Sequence, residues 1–129
     1  MIVFDTSALA KLVVEERESA ALEDAIRSEL GGSPRAISTI AVTELRRLGI
    51  RVGADVAAVQ AVVNLFQVLT LTEGVLQLAG RLPYRHLGTL DAIHVSTALA
   101  VGATAVVTYD LRMIEAAQGE GLTVLSPGR

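Results

Sequence analysis

The sequence predicts an α/β domain built on a parallel sheet. Five short apolar runs alternate with longer stretches whose apolar residues recur at helical spacing. Each strand is separated from the next by a helix, so consecutive strands pair in parallel through right-handed crossovers. A chain of 129 residues is long enough to bury one core and too short for two, which predicts a single domain over residues 1–129.

The elements follow in order. Ile2 to Phe4 is an apolar run that stops at Asp5-Thr6-Ser7, and Leu9, Leu12 and Val13 follow at helical spacing: strand, cap, helix. A charged helix is predicted from Arg17 to Leu30, with Ala21, Leu22, Ala25 and Ile26 on its buried face, until Gly31-Gly32-Ser33-Pro34 stops it. Ala36 to Ser38 is a second strand. Thr39 to Ile50 is a helix with Glu44 inside it and Arg46, Arg47 and Arg51 near its end, where cations suit the helix dipole. After Gly53 a helix is predicted from Ala54 to Leu65, then a strand from Val68 to Leu71 and a helix from Glu73 to Leu82. Gln60, Asn64 and Gln67 place a polar stripe along this region, too interrupted for a bilayer span. Pro83 to Gly88 is a loop, Thr89 to Val101 an apolar helix, and Thr104 to Thr108 a strand. Asp110 caps a short helix to Ala117, and Leu122 to Leu125 is the last strand.

Composition narrows the chemistry. There is no cysteine and there are only two histidines, so thiolate and His-rich metal sites and thiol nucleophiles are excluded. Any metal must be held by oxygen, which points to a hard cation such as Mg²⁺ or Mn²⁺. A net charge of −3 argues against gripping nucleic acid by bulk positive charge, although bound divalent ions reverse a local field. With 51% hydrophobic and 3% aromatic residues, the core is built from Ala, Val, Leu and Ile, and so apolar a domain is expected to cover part of its surface in an oligomer or a complex. The N-terminus lacks the basic and then apolar regions of a secretory signal, which predicts a cytoplasmic protein.

Four acids stand on apolar elements: Asp5, Glu44, Asp91 and Asp110. Asp5 and Asp110 follow strands, and Glu44 and Asp91 are expected in the first turns of helices that start at the same sheet edge. In open parallel sheets functional groups gather beyond the carboxyl ends of the strands. Carboxylates crowded there repel one another, and a divalent ion relieves the repulsion. Such a cluster supports phosphodiester hydrolysis, in which the ion activates the attacking water and stabilises charge on the phosphate, with no side-chain nucleophile. Each acid also has a bland reading. Asp5 and Asp110 can serve as N-caps, Asp91 can complement the helix dipole, and Glu44 can face solvent. His94, one turn after Asp91, is expected to pack or to make a structural hydrogen bond. Thr6, Ser7 and Thr108 can bond a water or a phosphate, or simply cap. The arginines Arg46, Arg47, Arg51, Arg85 and Arg112 can touch an RNA backbone or merely be solvated. The chain has no G-x-x-x-x-G-K-[ST] or G-x-G-x-x-G loop, which excludes the nucleotide-binding folds that depend on them.

The motifs Asp5-Thr6-Ser7-Ala8-Leu9, Ser38-Thr39-Ile40-Ala41-Val42-Thr43-Glu44-Leu45, Leu90-Asp91-Ala92-Ile93-His94-Val95-Ser96-Thr97-Ala98 and Val107-Thr108-Tyr109-Asp110 together resemble the PIN-domain ribonucleases, specifically VapC-type toxins of bacterial toxin–antitoxin pairs. The resemblance implies a three-layer α/β/α sandwich with a central five-stranded parallel sheet and Mg²⁺- or Mn²⁺-dependent cleavage of RNA. It further implies a homodimer, and inhibition by a small VapB-like antitoxin whose C-terminal segment blocks the acidic pocket. Carried over by position, Asp5, Glu44, Asp91 and Asp110 match the family's catalytic metal ligands, and Thr6, Ser7 and Thr108 its hydroxyl positions. Met113 stands where an aromatic is common, a departure that touches packing only. Two rivals stay open: a processing nuclease without an antitoxin, and a non-catalytic PIN-like module that binds RNA or protein.

Overall fold

A computed structural model describes residues 1–28 and 30–129. The chain runs β1 (Ile2–Phe4), α1 (Thr6–Val13), α2 (Ser19–Arg27), β2 (Arg35–Ser38), α3 (Thr39–Val52), α4 (Val56–Val63), β3 (Gln67–Leu69), α5 (Glu73–Ala79), α6 (Thr89–Ala100), β4 (Ala105–Val107), α7 (Leu111–Gly119) and β5 (Thr123–Leu125). The strands form one parallel sheet in the order β3-β2-β1-β4-β5. Val3 is in register with Ala36 on one side and Val106 on the other. From β1 the chain first builds outward through β2 to β3, then returns to β1's other side for β4 and β5. That reversal opens a crevice between β1 and β4 at their carboxyl ends.

Side chains alternate across the central strands and so feed two cores. Ile2, Phe4, Ile37, Ala105 and Val107 pack with residues of α1 to α4, while Val3 and Val106 pack with Val95 and Ala98 of α6 and Met113, Ala116 and Ala117 of α7. The five-stranded parallel sheet thus lies between helical layers, as the resemblance implied. Helix α5 packs on α6. Phe4 and Phe66 meet edge to face, with ring centroids 4.8 Å apart. Met113 is fully buried, so the unbranched side chain fills the space where an aromatic was the expectation.

Several boundaries shift for local reasons. Helix α2 is shorter than the expected span from Arg17 to Leu30; Glu29 lies outside the described residues. Glu18 makes no side-chain cap, because its carboxylate pairs with Lys11 at 2.8 Å. Strand β3 begins at Gln67 and ends at Leu69, and the backbone N–H of Leu71 donates to Thr39 Oγ1 instead of extending the sheet. The polar stripe is correspondingly shorter. Gln60 donates to Asn64 Oδ1 at 2.9 Å, but Gln67 pairs with Ala36 in the sheet. Among the described residues no helix is long and apolar enough to cross a membrane.

The single lysine is committed to structure. Lys11 is 8% exposed, bonded to Glu18 and Glu16 and seated over the Tyr109 ring at 4.6 Å. Tyr109 in turn donates its hydroxyl to the Pro127 carbonyl at 2.7 Å, joining the C-terminal segment to α1.

Helix α3 buries Ala41, Leu45 and Gly49 at intervals of four, so this one face fixes its rotation about its own axis. Leu45→Ala is expected to lower stability by about 2–5 kcal/mol, the usual range for a fully buried leucine, measured by urea unfolding. A loss under about 1 kcal/mol would show that α3 is held in some other way.

Candidate active site

Asp5 is the residue after β1 and the N-cap of α1, 2% exposed. Its Oδ1 accepts from the Ala8 N–H at 3.0 Å and from Ser7 Oγ at 2.7 Å, and its Oδ2 from Thr108 Oγ1 at 2.6 Å. Burial pushes the Asp5 carboxyl up, and the hydrogen bonds from Thr108, Ser7 and Ala8 only partly offset it. The two hydroxyls also accept: Ser7 Oγ from the Tyr109 N–H at 2.9 Å, Thr108 Oγ1 from the Asp110 N–H at 3.2 Å. They therefore tie the end of β1 to the end of β4. Asp110 caps α7, with Oδ1 accepting from the Met113 N–H at 3.0 Å. The capping reading of Asp5 and Asp110 is correct, and it coexists with their place at the crevice.

Glu44 lies in the second turn of α3 and not in the first: the helix starts at Thr39, as its sequence predicts, and 3.6 residues per turn put the sixth residue beyond the first turn. Its Oε1 accepts from Thr6 Oγ1 at 2.6 Å and pairs with His94 Nε2 at 2.7 Å. Ser38 Oγ lies 3.3 Å from His94 Nδ1 and accepts from the Ala41 N–H at 3.0 Å. A carboxylate can only accept, so His94 Nε2 is the donor to Glu44 Oε1, and Ser38 Oγ meets the other ring nitrogen. Burial alone would raise the Glu44 carboxyl, but the bonds from His94 and Thr6 outweigh it and the net direction is down. His94, 2% exposed, thus has the structural hydrogen bond expected of it. Ser38 was not singled out from the sequence. A serine closing a strand and opening a helix signals a cap, but its bond to His94 spans 56 positions and left no local trace.

Asp91 stands in the first turn of α6, half-buried, and makes no side-chain hydrogen bond among the described residues. Its carboxyl is pushed up to about 6, by burial first, then by the charges of Asp110 and Asp5 and, more weakly, Glu44, against a lowering from His94. All four acids therefore lie within one electrostatic neighbourhood, with Thr6, Ser7 and Thr108 among them. Among the described residues no set of three or more His, Asp or Glu side chains is already arranged to hold a metal ion. Among the described residues, the oxygens of these four acids left without a hydrogen bond are Glu44 Oε2, Asp110 Oδ2 and both of Asp91. That donor set is all oxygen, anionic and self-repelling, which fits a hard divalent cation.

The raised Asp91 carboxyl has a direct consequence for stability. Because the folded state holds this proton more tightly than the unfolded chain, the associated stability is full below pH 4 and is lost as pH rises through about 6. Asp91→Asn removes that loss. In metal-free buffer the variant is expected to be more stable than wild type at pH 7.5 by roughly 1 kcal/mol, after discounting for a half-exposed group, or about 3–5 °C in Tm. The gap should close toward pH 4. A variant less stable than wild type at pH 7.5 would contradict the repulsion.

The chain is similar along its length to known proteins. Residues 2–119 match the family model described as the PIN domain. Ribonuclease VapC46 of Mycobacterium tuberculosis is 40% identical over 130 residues, covering 98% of this chain and 97% of its own length. Ribonuclease VapC47 of the same species is 36% identical over 133 residues, covering 99% and 98%. A toxin–antitoxin complex from Klebsiella pneumoniae contains a chain of the same fold, with a TM-score of 0.75 at 22% identity and 98% coverage of both chains. With the family model spanning nearly all of its secondary structure and two relatives above 30% identity along almost their full length, the chain belongs to the PIN-domain family and is a homologue of the VapC ribonucleases.

Proposed function

We propose that this chain is a divalent-metal-dependent endoribonuclease that acts in the cytoplasm as the toxin of a toxin–antitoxin pair. The observation that carries the reading is Asp91, a carboxyl raised to about 6 by its burial and by the acids around it, at the edge where β1 and β4 part. Homology to the VapC ribonucleases supplies the reaction class, and the family is associated with divalent-metal-dependent nucleases.

Asp91 and Asp110, with Glu44 and Asp5, are the residues proposed to hold Mg²⁺ or Mn²⁺. Asp91 offers two free oxygens and Asp110 and Glu44 one each, while Asp5 has three of its acceptor positions filled. A bound divalent ion supplies an attacking water at neutral pH and offsets charge on the phosphate. Thr6, Ser7 and Thr108 spend their protons on Glu44 and Asp5, so their role is to hold those carboxylates in place. His94 does the same for Glu44 from the other side. Asp91 has to lose its proton before it takes up the ion, which makes activity rise with pH through about 6.

The partner proposed is a small VapB-like antitoxin, supported by the toxin–antitoxin complex that shares this fold. Ile50 and Val56, both more than half exposed, line an apolar pocket between the end of α3 and the start of α4. Such a pocket suits a protein that is normally covered by an antitoxin or by a second copy in a homodimer.

The test is cleavage of RNA by purified protein in Mg²⁺ or Mn²⁺ against EDTA, with Asp91→Asn beside wild type. Cleavage is expected only with metal, and the variant is expected to lose more than about 100-fold. Undiminished turnover by the variant, or cleavage that persists in EDTA, would sink the assignment. Millimolar metal should also raise the wild-type Tm, by about 2.7 kcal/mol of stabilisation at a hundred times Kd. An active enzyme that no co-encoded small protein restrains would instead be a processing nuclease.

A further inference from the structure

A groove of about 400 Å³ opens beside the acidic site, lined by Thr6 and Glu44 at one end, Arg47 and Arg51 along α3, and Leu90 of α6 on the facing wall. Glu44, one of the four acids, itself lines the groove, and Leu90 immediately precedes Asp91. Arg47 and Arg51 lie one turn apart on the same face of α3, about 6 Å along its axis from each other, with Arg47 one turn beyond Glu44. Both are exposed, and among the described residues neither makes an ion pair. The third arginine of this helix differs: Arg46 donates to Gln60 of α4 and lines a separate apolar pocket with Gly49 and Val59.

We infer that this groove is a track for single-stranded RNA, in which Arg47 and Arg51 each neutralise one backbone phosphate on one side of the bond to be cut. The inference rests on the ribonuclease reading and deepens it. In a chain of net charge −3, a polyanion needs local cations to approach a nest of carboxylates. Two unpaired guanidiniums in line with the acids supply them on one side. Phe4 and Phe66 are in the core, Tyr84 donates to Glu120 and Tyr109 lies against Lys11, so no aromatic side chain lines the groove. The groove has no platform on which bases stack. Recognition along it is therefore by backbone charge, steep in salt and tolerant of base sequence. An acidic segment of a protein is the competing occupant, disfavoured because the Glu44 carboxylate lines the groove beside the arginines.

The test uses full-length protein carrying Asp91→Asn, so that RNA is bound without being cut, and a fluorescein-labelled single-stranded RNA oligonucleotide of mixed sequence. Anisotropy titrations in Mg²⁺ at several potassium chloride concentrations give the slope of log K against log salt. Adding Arg47→Gln and Arg51→Gln together should reduce that slope by about 1.4, at roughly 0.7 per phosphate contact in single strands, and weaken binding roughly tenfold or more near 0.1 M salt. The double Lys variant should keep the slope, because the charges stay. An unchanged slope in the double Gln variant, or an equal loss in the double Lys variant, would overturn the inference. So would a double Gln variant that binds RNA normally but no longer binds its inhibitory protein, since the groove would then belong to that partner. Cleavage by wild type is scored separately: a slope that drops as stated in a protein that cuts no RNA would uphold the track while the nuclease reading falls.

Discussion

Burial of carboxylates at one edge of a parallel sheet, with the repulsion it adds between them, is the constraint on which the rest of this molecule depends. Asp91 bears most of it, half-buried near Asp110, Asp5 and Glu44 and, among the described residues, with no side-chain hydrogen bond. The other three acids each have donors that make their charge tolerable: three for Asp5, two for Glu44, one for Asp110. A fold that keeps one carboxylate unsupported while supporting its neighbours gives up stability at that position. Such uncompensated positions are where functional sites are found.

The supports come from the strand order. Because β1 is hydrogen-bonded to both β2 and β4, the caps of α1, α3 and α7 emerge at one edge, and short side chains reach across it. Ser7 and Thr108 connect the β1 and β4 ends through Asp5, while Ser38 ties the β2 end to His94 of α6, whose other ring nitrogen bonds Glu44 of α3. Ser7 and Thr108 both donate and accept, so the network leaves few orientations open to the Asp5 carboxylate it holds. Lys11, the one lysine, is held away from the crevice by Glu16, Glu18 and Tyr109, which leaves arginines as the cations beside it.

Much of this was legible before the structure. The strand–helix alternation, the buried helix from Thr89 and the position of Asp5 and Asp110 after strands follow from apolar periodicity and punctuation, and these are local signals. What was not legible depends on distant partners. Glu44 could be read as solvent-facing until α3 was rotated by Ala41, Leu45 and Gly49. The role of Ser38 required His94 to arrive from α6, and the division of Arg46 from Arg47 and Arg51 required α4 to pack on one side of α3 and the acidic crevice to open on the other. Strand ends were misplaced where the sheet edge is exposed, as at β3, because hydrophobicity there no longer marks burial.

Calorimetric titration of the protein with Mn²⁺ at several pH values, repeated in buffers of different ionisation enthalpy, counts the protons released as metal binds and so tests the central claim most directly. A carboxyl raised to about 6 that becomes a metal ligand must give up its proton. The expected result is release of about half a proton near pH 6, falling to none by about pH 8, and loss of that release in Asp91→Asn. Metal binding with no proton released at pH 6, or the same release from the Asp91→Asn variant, would contradict it.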